Sequence, residues 1–502
     1  MGKSLIYKII ILILSSCWVT AQNYNFADPF YLLRNEFSNN NDSTYLNNNI
    51  RPYFLSNNKR FSLRYRSEFY LNDGHSNQEN MDVRYIGKGS GFYNSLNFSF
   101  YNNYLAASIE PYVLSSSNIF YDFPDRPVPY TVLNDFGKNV GESYLDKNFK
   151  ELQLYIHFRG VGIGYSNANM WVGPGIHSSL TMTNNTRGFN NYSIGTLREI
   201  VYKKIGFQAK LISGDLSPNI SGYKKIYYSS LVTSISLKYN PIITIGFNRN
   251  YLSGGVDIGR KWSKIDAAKL VLENLFVDKK GSLDYTQGDG HDSWDQTLVG
   301  FFEIFYPDKK FKIYAELGAN DHRQNLFDLR SHPDHAIASI LGFRGKGIFG
   351  NDDIVFGLEY TNIILGRHWR FRITPNWYER SYYNDFSYDG RRWAAHSGSD
   401  SDDLYIFLGY QTNKYSLIPA INYERHGVNK SLPPEVKIEF RLNFSYQFKR
   451  NYKFNVFYEN EYLENIGFTT PARNVFENKP PMGVRKSIVI WFGLEKTLNI
   501  NI

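Results

Sequence analysis

From Val436 to Phe448 the chain reads Val-Lys-Ile-Glu-Phe-Arg-Leu-Asn-Phe-Ser-Tyr-Gln-Phe. Even positions (Val436, Ile438, Phe440, Leu442, Phe444, Tyr446, Phe448) are apolar or aromatic, and odd positions (Lys437, Glu439, Arg441, Asn443, Ser445, Gln447) are polar or charged. Strict period two predicts a β-strand with one oily face and one wet face. The run exceeds the usual soluble strand of about five or six residues. It suits a tilted strand crossing a bilayer, which needs roughly 9–11 residues. A one-residue slip would turn Lys437 and Arg441 into lipid, at about 2–4 kcal/mol for a basic residue near the midplane, so the register is firmly set. The stretch reads as one stave of an outer-membrane barrel.

Composition agrees. After the N-terminus no run of eighteen apolar residues occurs, which excludes transmembrane helices. Hydrophobic residues make 42% and the mean hydropathy is -0.42, unlike a helical membrane protein. A membrane barrel tolerates such values because only alternate residues meet lipid. The chain holds 8 Trp, 40 Tyr and 37 Phe, a supply suited to interfacial aromatic girdles. An aromatic-rich soluble β-protein is the competing reading of that count. Net charge is +9, and +7 once Lys3 and Lys8 leave with an export signal (9 − 2). Basic residues are interleaved with acids, which argues against a nucleic-acid partner. The balance is compatible with an acidic polysaccharide.

Residues 1–21 read as a signal peptide. Lys3 and Lys8 are its basic region, Ile9 to Leu14 its apolar region, and Val19-Thr20-Ala21 its cleavage site. Leu14-Ser15-Ser16-Cys17 resembles a lipoprotein box, so cleavage after Ala21 and lipidation at Cys17 are both open. Cys17 is the sole cysteine, and ordinary cleavage would leave no thiol chemistry or disulfide. Residues 22–59 form an asparagine-rich periplasmic segment, with a short helix expected at 28–37, capped by Asp28 with Pro29 first.

Residues 60–502 are assigned to one antiparallel transmembrane β-barrel. Alternation predicts staves at Phe61 to Leu71, Leu152 to Phe158, Val161 to Tyr165, Ile205 to Leu211, Leu231 to Tyr239, Ile243 to Phe247 and Leu298 to Tyr306. More follow at Phe311 to Leu317, Ile354 to Tyr360, Trp369 to Ile373, Leu404 to Tyr410, Leu417 to Tyr423, Tyr452 to Tyr458 and Ile488 to Leu494. Leu96 to Phe100 and Leu105 to Ile109 read as a hairpin turning at Asn102-Asn103. Asp122 to Lys150, with Pro124, Pro127 and Pro129, reads as a long irregular segment. The total is roughly fifteen to eighteen strands, an even number being usual for single-chain barrels.

Asn167-Ala168-Asn169-Met170-Trp171-Val172-Gly173-Pro174-Gly175, followed by Ser178 to Asn185, resembles the central motif of the bacterial capsule-assembly Wzi family. There a Trp-Trp-Gly-Pro-Gly stretch precedes a strand ending in Ser-Asn-Asn; here Val172 replaces the second Trp and Thr183 the Ser. Tyr314 to Gly318, His335 to Gly342 and Leu358 to Thr361 are similar to the family's paired acidic strands. Asn384 to Asp403 is similar to its loop of Gly, Arg, His and Asp. Two departures stand out. Residues 22–59 are short for the family's periplasmic helical bundle. Ile502 replaces a terminal aromatic, so Trp491-Phe492 is the candidate signal for the barrel assembly machinery. The resemblance implies about eighteen strands in the outer membrane, closed to bulk flow, binding capsular or extracellular polysaccharide as a lectin does, without catalysis. Outer-membrane lipid and the polymer are the implied partners, with a monomer expected.

Candidate residues carry alternatives. Trp171 either stacks on a sugar face or belongs, with Gly173, Pro174, Gly175, Asn184 and Asn185, to a structural bend. Arg391 and Arg392 suit bidentate capture of uronate carboxylates, with Trp377, Tyr378, Trp393, His396 and Asp400 as companions; a solvated loop has the same composition. Asp400, Asp402 and Asp403 offer hard oxygens, and His332, His335, Asp321 and His322 offer transition-metal ligand types. Neither spacing is a recognised metal motif, so no metal, cofactor or catalytic residue is expected. Gly160, Gly162 and Gly164 share one strand face and read as sites of close packing. Glu316 and Glu359 read as lumen salt bridges. A channel for small polar solutes is the alternative function.

Overall fold

The computed structural model describes residues 24–25, 32–33, 36–37, 47–54, 60–122, 126, 130, 133–135, 137–216, 225–254, 263–276, 294–320, 326–366, 374, 376–378, 386–429, 433–449, 451–468 and 483–501. The signal sequence with Cys17, Asp28 and Pro29, Asp321 and His322, and the stave expected at Trp369 to Ile373 lie outside these residues.

Among the described residues, eighteen antiparallel staves close into one barrel. In chain order they are β1 (Arg60–Asn72), β2 (Gly89–Tyr101), β3 (Leu105–Ser116), β4 (Tyr144–Phe158), β5 (Val161–Ser166) and β6 (Asn191–Thr196, resumed at Ile200–Tyr202). Next come β7 (Ile205–Asp215), β8 (Ile226–Lys238), β9 (Ile242–Gly254), β10 (Trp294–Tyr306), β11 (Phe311–Asn320) and β12 (Ile337–Ile348). The last are β13 (Asn351–Asn362), β14 (Ser401–Gln411), β15 (Tyr415–His426), β16 (Glu435–Lys449), β17 (Tyr452–Glu464) and β18 (Arg485–Asn501). Pairing from Val489↔Asn72 to Asn501↔Arg60 joins β18 to β1 and removes the free edge.

The alternation in β16 decides the faces. Lys437, Glu439, Arg441 and Ser445 are buried toward the lumen, while Ile438, Phe440, Tyr446 and Phe448 are 37–42% exposed on the outer wall. The same outward apolar row recurs in β4, with Leu152, Leu154, Ile156 and Phe158. Such exposed rows fit a lipid-facing belt. Tight turns such as 102–104, 159–160, 349–350 and 412–414 lie at one end, and long loops such as 73–88, 167–190 and 363–400 at the other. By the general rule for such barrels, the short turns are periplasmic and the long loops extracellular. At the Asn102 turn, Asn102 Oδ1 accepts from the Tyr104 and Leu105 amides at 2.8 and 2.7 Å.

Three expectations change. β4 begins at Tyr144, inside the segment read as irregular: a bulge opposite Glu110 and Pro111 buries both Lys150 and Glu151 and flips the alternation there. β6 was missed because its pairing breaks between Thr196 and Ile200, where Leu197 turns inward. β12 does not stand out in the sequence because its first half is apolar on both faces, Ala338 and Ile340 inward against Leu341 and Phe343 outward. Leu32, Leu33 and Glu36 are helical where described, and Leu32 and Leu33 pack inside the barrel against Ile176, Tyr314, Val355 and Phe407.

Candidate functional site

The described parts of loops 73–88, 167–190 and 363–400 fold back into the lumen and form a plug. Its centre is the bend 171–180. Trp171 and Val172 pair antiparallel with Arg51 and Ile50 of the N-terminal segment, and the Gly173 amide donates to Asn49 O at 2.8 Å. Gly173 has φ 136°, and a Cβ there would stand 2.1 Å from Glu316 Oε1, so only glycine fits. A Cβ on Gly175 would meet Ser178 O at 2.1 Å.

Two wall carboxylates hold this bend. Glu359 accepts the amides of Ile176, His177 and Ser178 at 2.8, 3.2 and 2.5 Å, and the Tyr314 hydroxyl at 2.7 Å. Glu316 accepts the Leu180 amide at 2.9 Å. Glu316 and Glu359 were expected in lumen salt bridges. Among the described residues their hydrogen-bond donors are instead backbone amides and hydroxyls, because the bend presents a row of N–H groups with no helix or sheet to take them.

Asn184 and Asn185 staple the plug to its neighbours. Asn184 Nδ2 donates to Asn80 O at 3.1 Å and its own carbonyl accepts the Asp82 amide at 2.8 Å. Asn185 Nδ2 donates to Arg392 O at 3.0 Å, and Asn185 Oδ1 accepts the Asn80 amide at 3.0 Å. The described parts of loops 73–88, 167–190 and 363–400 thereby become one body.

The eight residues proposed for sugar contact are all in this body and all buried: Trp171, Trp377, Tyr378, Arg391, Arg392, Trp393, His396 and Asp400. Their partners are protein. Arg51 lies over the Trp171 ring at 4.7 Å. Trp377 abuts Gly318 of β11, where a Cβ would be 2.6 Å from the ring. The Tyr378 hydroxyl donates to Leu180 O at 3.2 Å. Arg391 donates to Gln78 O and Asp82 O at 3.0 and 2.7 Å, and burial, which outweighs the nearby Asp389 and Asp82, pushes it down to about 10. Arg392 donates to Tyr378 O at 3.3 Å and lies over that ring at 5.3 Å. Trp393 meets Tyr228 edge-on at 6.0 Å. Asp400 accepts the Leu365 amide at 3.2 Å and the Asn429 amide at 3.1 Å.

The three aspartates considered for calcium separate: Asp402 forms a bidentate pair with Arg425, and Asp403 faces His177 and His396. His332 and His335 stack at 4.2 Å. Close packing does explain Gly162 and Gly164, where a Cβ would meet β4 carbonyls at 2.2 and 2.3 Å.

What reaches the extracellular side is a second set that the sequence did not single out. Arg187 and Lys138 hold Asp389 at 2.9 and 2.5 Å, and Tyr112 donates to Asp146 at 2.6 Å. Arg187 stays 29% exposed, Lys138 and Asp389 16–17%. The rings of Tyr85 and Tyr144 lie 4.9 Å apart beneath them, with Lys138 Nζ 5.8 Å from the Tyr144 ring. Burial raises the Asp389 carboxyl, but Lys138 and Arg187 outweigh it and hold the group below its ordinary range. These residues come from four separate loops and strand ends, so no local motif marks them.

A family model described as capsule assembly protein Wzi matches residues 65–470. The chain belongs to the Wzi capsule-assembly family. Among solved structures, it is similar to Wzi of Escherichia coli, described as an outer-membrane protein involved in group 1 capsule assembly and a carbohydrate-binding β-barrel. The likeness has TM-score 0.54 at 13% identity, covering 87% of this chain and 84% of that one. OccK11 (OpdR) of Pseudomonas aeruginosa gives TM-score 0.40 at 10% identity over 89% and 100% of the two chains, and OccAB4 of Acinetobacter baumannii 0.37 at 8% over 88% and 99%. No curated protein matches in sequence. As a member of the Wzi family with this fold, the chain is an outer-membrane β-barrel.

Proposed function

We propose that this barrel binds surface polysaccharide at its extracellular end and helps attach or assemble the capsule, without catalysis. The observation that carries the reading is the plug: loops that a channel would keep clear of its lumen are here welded into it by Glu359, Glu316, Asn184 and Asn185. Family membership and the carbohydrate-binding description of the Escherichia coli Wzi structure support it. The buried Trp171, Trp377, Tyr378, Arg391, Arg392, Trp393, His396 and Asp400 give the plug its shape. The partly exposed cluster of Lys138, Arg187, Asp389 and Tyr144 supplies the face a polymer would meet. An arginine suits uronate carboxylates, and tyrosine rings suit the apolar side of a pyranose.

The test is binding of the purified barrel to the producing cell's own surface polysaccharide, with Arg187→Ala beside the parent. Retention by the parent and at least a fivefold loss in the variant are expected. Absence of binding by the parent, or attached capsule unchanged after gene deletion, would count against the reading.

A further inference from the structure

Ligand-type atoms of Glu79 in loop 73–88, His177 in loop 167–190 and His396 in loop 363–400 lie within 4.8 Å of one another, and Asp403 on β14 faces both histidines. All four side chains are at most 4% exposed. His177 Nε2 is 3.2 Å from Asp403 Oδ2 and 3.6 Å from Glu79 Oε1. His396 Nε2 is 3.2 Å from Asp403 Oδ2 and 3.3 Å from Glu79 Oε1. Yet His396 Nε2, Asp403 Oδ2 and Glu79 Oε1 make no hydrogen bond of acceptable geometry. They are close together but not aimed along one another's N–H directions. Buried polar atoms left in that state ask for an occupant.

The spacing names one. Zinc holds histidine nitrogen at about 2.0–2.1 Å and carboxylate oxygen at about 2.0–2.2 Å, so the edges of its tetrahedron are about 3.3–3.5 Å. Four of the six edges here measure 3.2, 3.2, 3.3 and 3.6 Å. The outer oxygens are already held. Lys437 Nζ takes Glu79 Oε2 at 2.6 Å, and Asn422 Nδ2 takes Asp403 Oδ1. This leaves Oε1 and Oδ2 facing the histidines, the arrangement that carboxylates around a metal need. Arg441 Nη2 lies 2.8 Å from Glu79 Oε1, leaving that oxygen a second lone pair. Asn422 Nδ2 also lies 2.7 Å from His177 Nε2, a contact that a bound ion would replace. A cavity lined by Glu79, His177, Arg441, Ser445, Lys453 and Asn455 leads to the cluster from the periplasmic half of the lumen.

We propose that Glu79, His177, His396 and Asp403 bind one zinc ion, which pins three extracellular loops to the wall. Four protein ligands leave no open position, so the ion is structural and not a reaction centre. The proposal departs from the sequence expectation of no metal, and does not depend on the polysaccharide reading.

The test uses the full-length barrel in detergent, loaded with zinc, freed of unbound metal by gel filtration and assayed for total metal. About one zinc per chain is expected. His396→Gln and His177→Gln should each lower that at least tenfold, and His332→Gln should not. Asn422→Ala should weaken retention about 10–100-fold. Because a ligand variant can fail to fold, cobalt loading of the unaltered protein provides the second reading: intense visible bands of tetrahedral cobalt are expected. No stoichiometric zinc together with no tetrahedral cobalt spectrum would overturn the site. Equal zinc in folded His396→Gln and His177→Gln would overturn it too.

Discussion

The plug meets the barrel through two unlike walls. Along the extracellular halves of β7–β10 and β12 an apolar patch meets the plug: Ile212, Val232, Leu252, Val299, Ala338 and Ile340 face Val172, Leu180, Met182, Phe189 and Trp393. Along β15–β17 it is ionic. Lys437 pairs with Glu79 at 2.6 Å and Glu424 at 2.5 Å, Arg441 with Glu439 at 2.7 Å and Glu459 at 2.8 Å, and His75 with Glu461 at 2.7 Å. The apolar wall gains its stability from area removed from water and is indifferent to pH. The ionic wall depends on pairing that repays desolvation only while every partner stays. A barrel lumen is ordinarily polar, so the ionic wall follows the general rule and the apolar wall is the special adaptation to a resident plug.

Breaking the anchor between the walls should have the largest effect. Glu359→Ala strands three amides and the Tyr314 hydroxyl, each costing about 1–3 kcal/mol when left buried and unpaired. Proteolysis of loop 167–190 in the intact barrel should become measurable in this variant and stay undetected in the parent. On the ionic wall, Lys437→Met leaves Glu79, Glu424 and Glu439 short of a cation, a loss of about 3–5 kcal/mol. It should lower the temperature at which the folded band disappears in denaturing gels.

Acid tests the ionic contacts at the short-turn end of β11 and β12, where Lys312 and Arg344 hold Glu36. Burial raises the Glu36 carboxyl, but Arg344 and Lys312 outweigh it and hold it at about 2 against an ordinary 4.5. Arg344 Nε contacts Glu36 at 2.5 Å, Lys312 Nζ also at 2.5 Å, and Glu303 shares Lys312 at 3.0 Å. With its folded pKa depressed, Glu36 contributes its stability, about 3 kcal/mol, above pH 4.5 and loses it as pH falls toward 2. Protection of the N-terminal segment from hydrogen exchange should therefore shrink below pH 4.5, and Glu36→Gln should flatten that dependence. On the apolar wall, Ile340→Val should cost only about 0.5–1.5 kcal/mol. That loss should be the same at pH 4 and pH 7, read from the shift in the same gel assay.

The same contrast explains what could be read beforehand. β16 and β1 were legible because their lumen faces are charged and their lipid faces apolar, so the period survives. β12 was not, since Ala338 and Ile340 serve an inner apolar surface and erase the period. The Trp171 to Gly175 bend was legible as a motif because its glycines are demanded by backbone shape. Glu36, Glu79 and His177 were not, because their partners Arg344, Lys437 and Asp403 lie hundreds of residues away and no local spacing marks them. The sequence also suggested aromatic and arginine side chains for sugar contact. Arg391, Arg392 and Trp393 are the residue types that serve that purpose, and equally those that fill a polar plug.

The most direct test of the resident plug is a planar-bilayer recording from the purified barrel. Near silence, with steady openings only after Glu359→Ala, is the expected result. A steady porin-sized conductance from the unaltered protein would mean that the loops do not close the lumen.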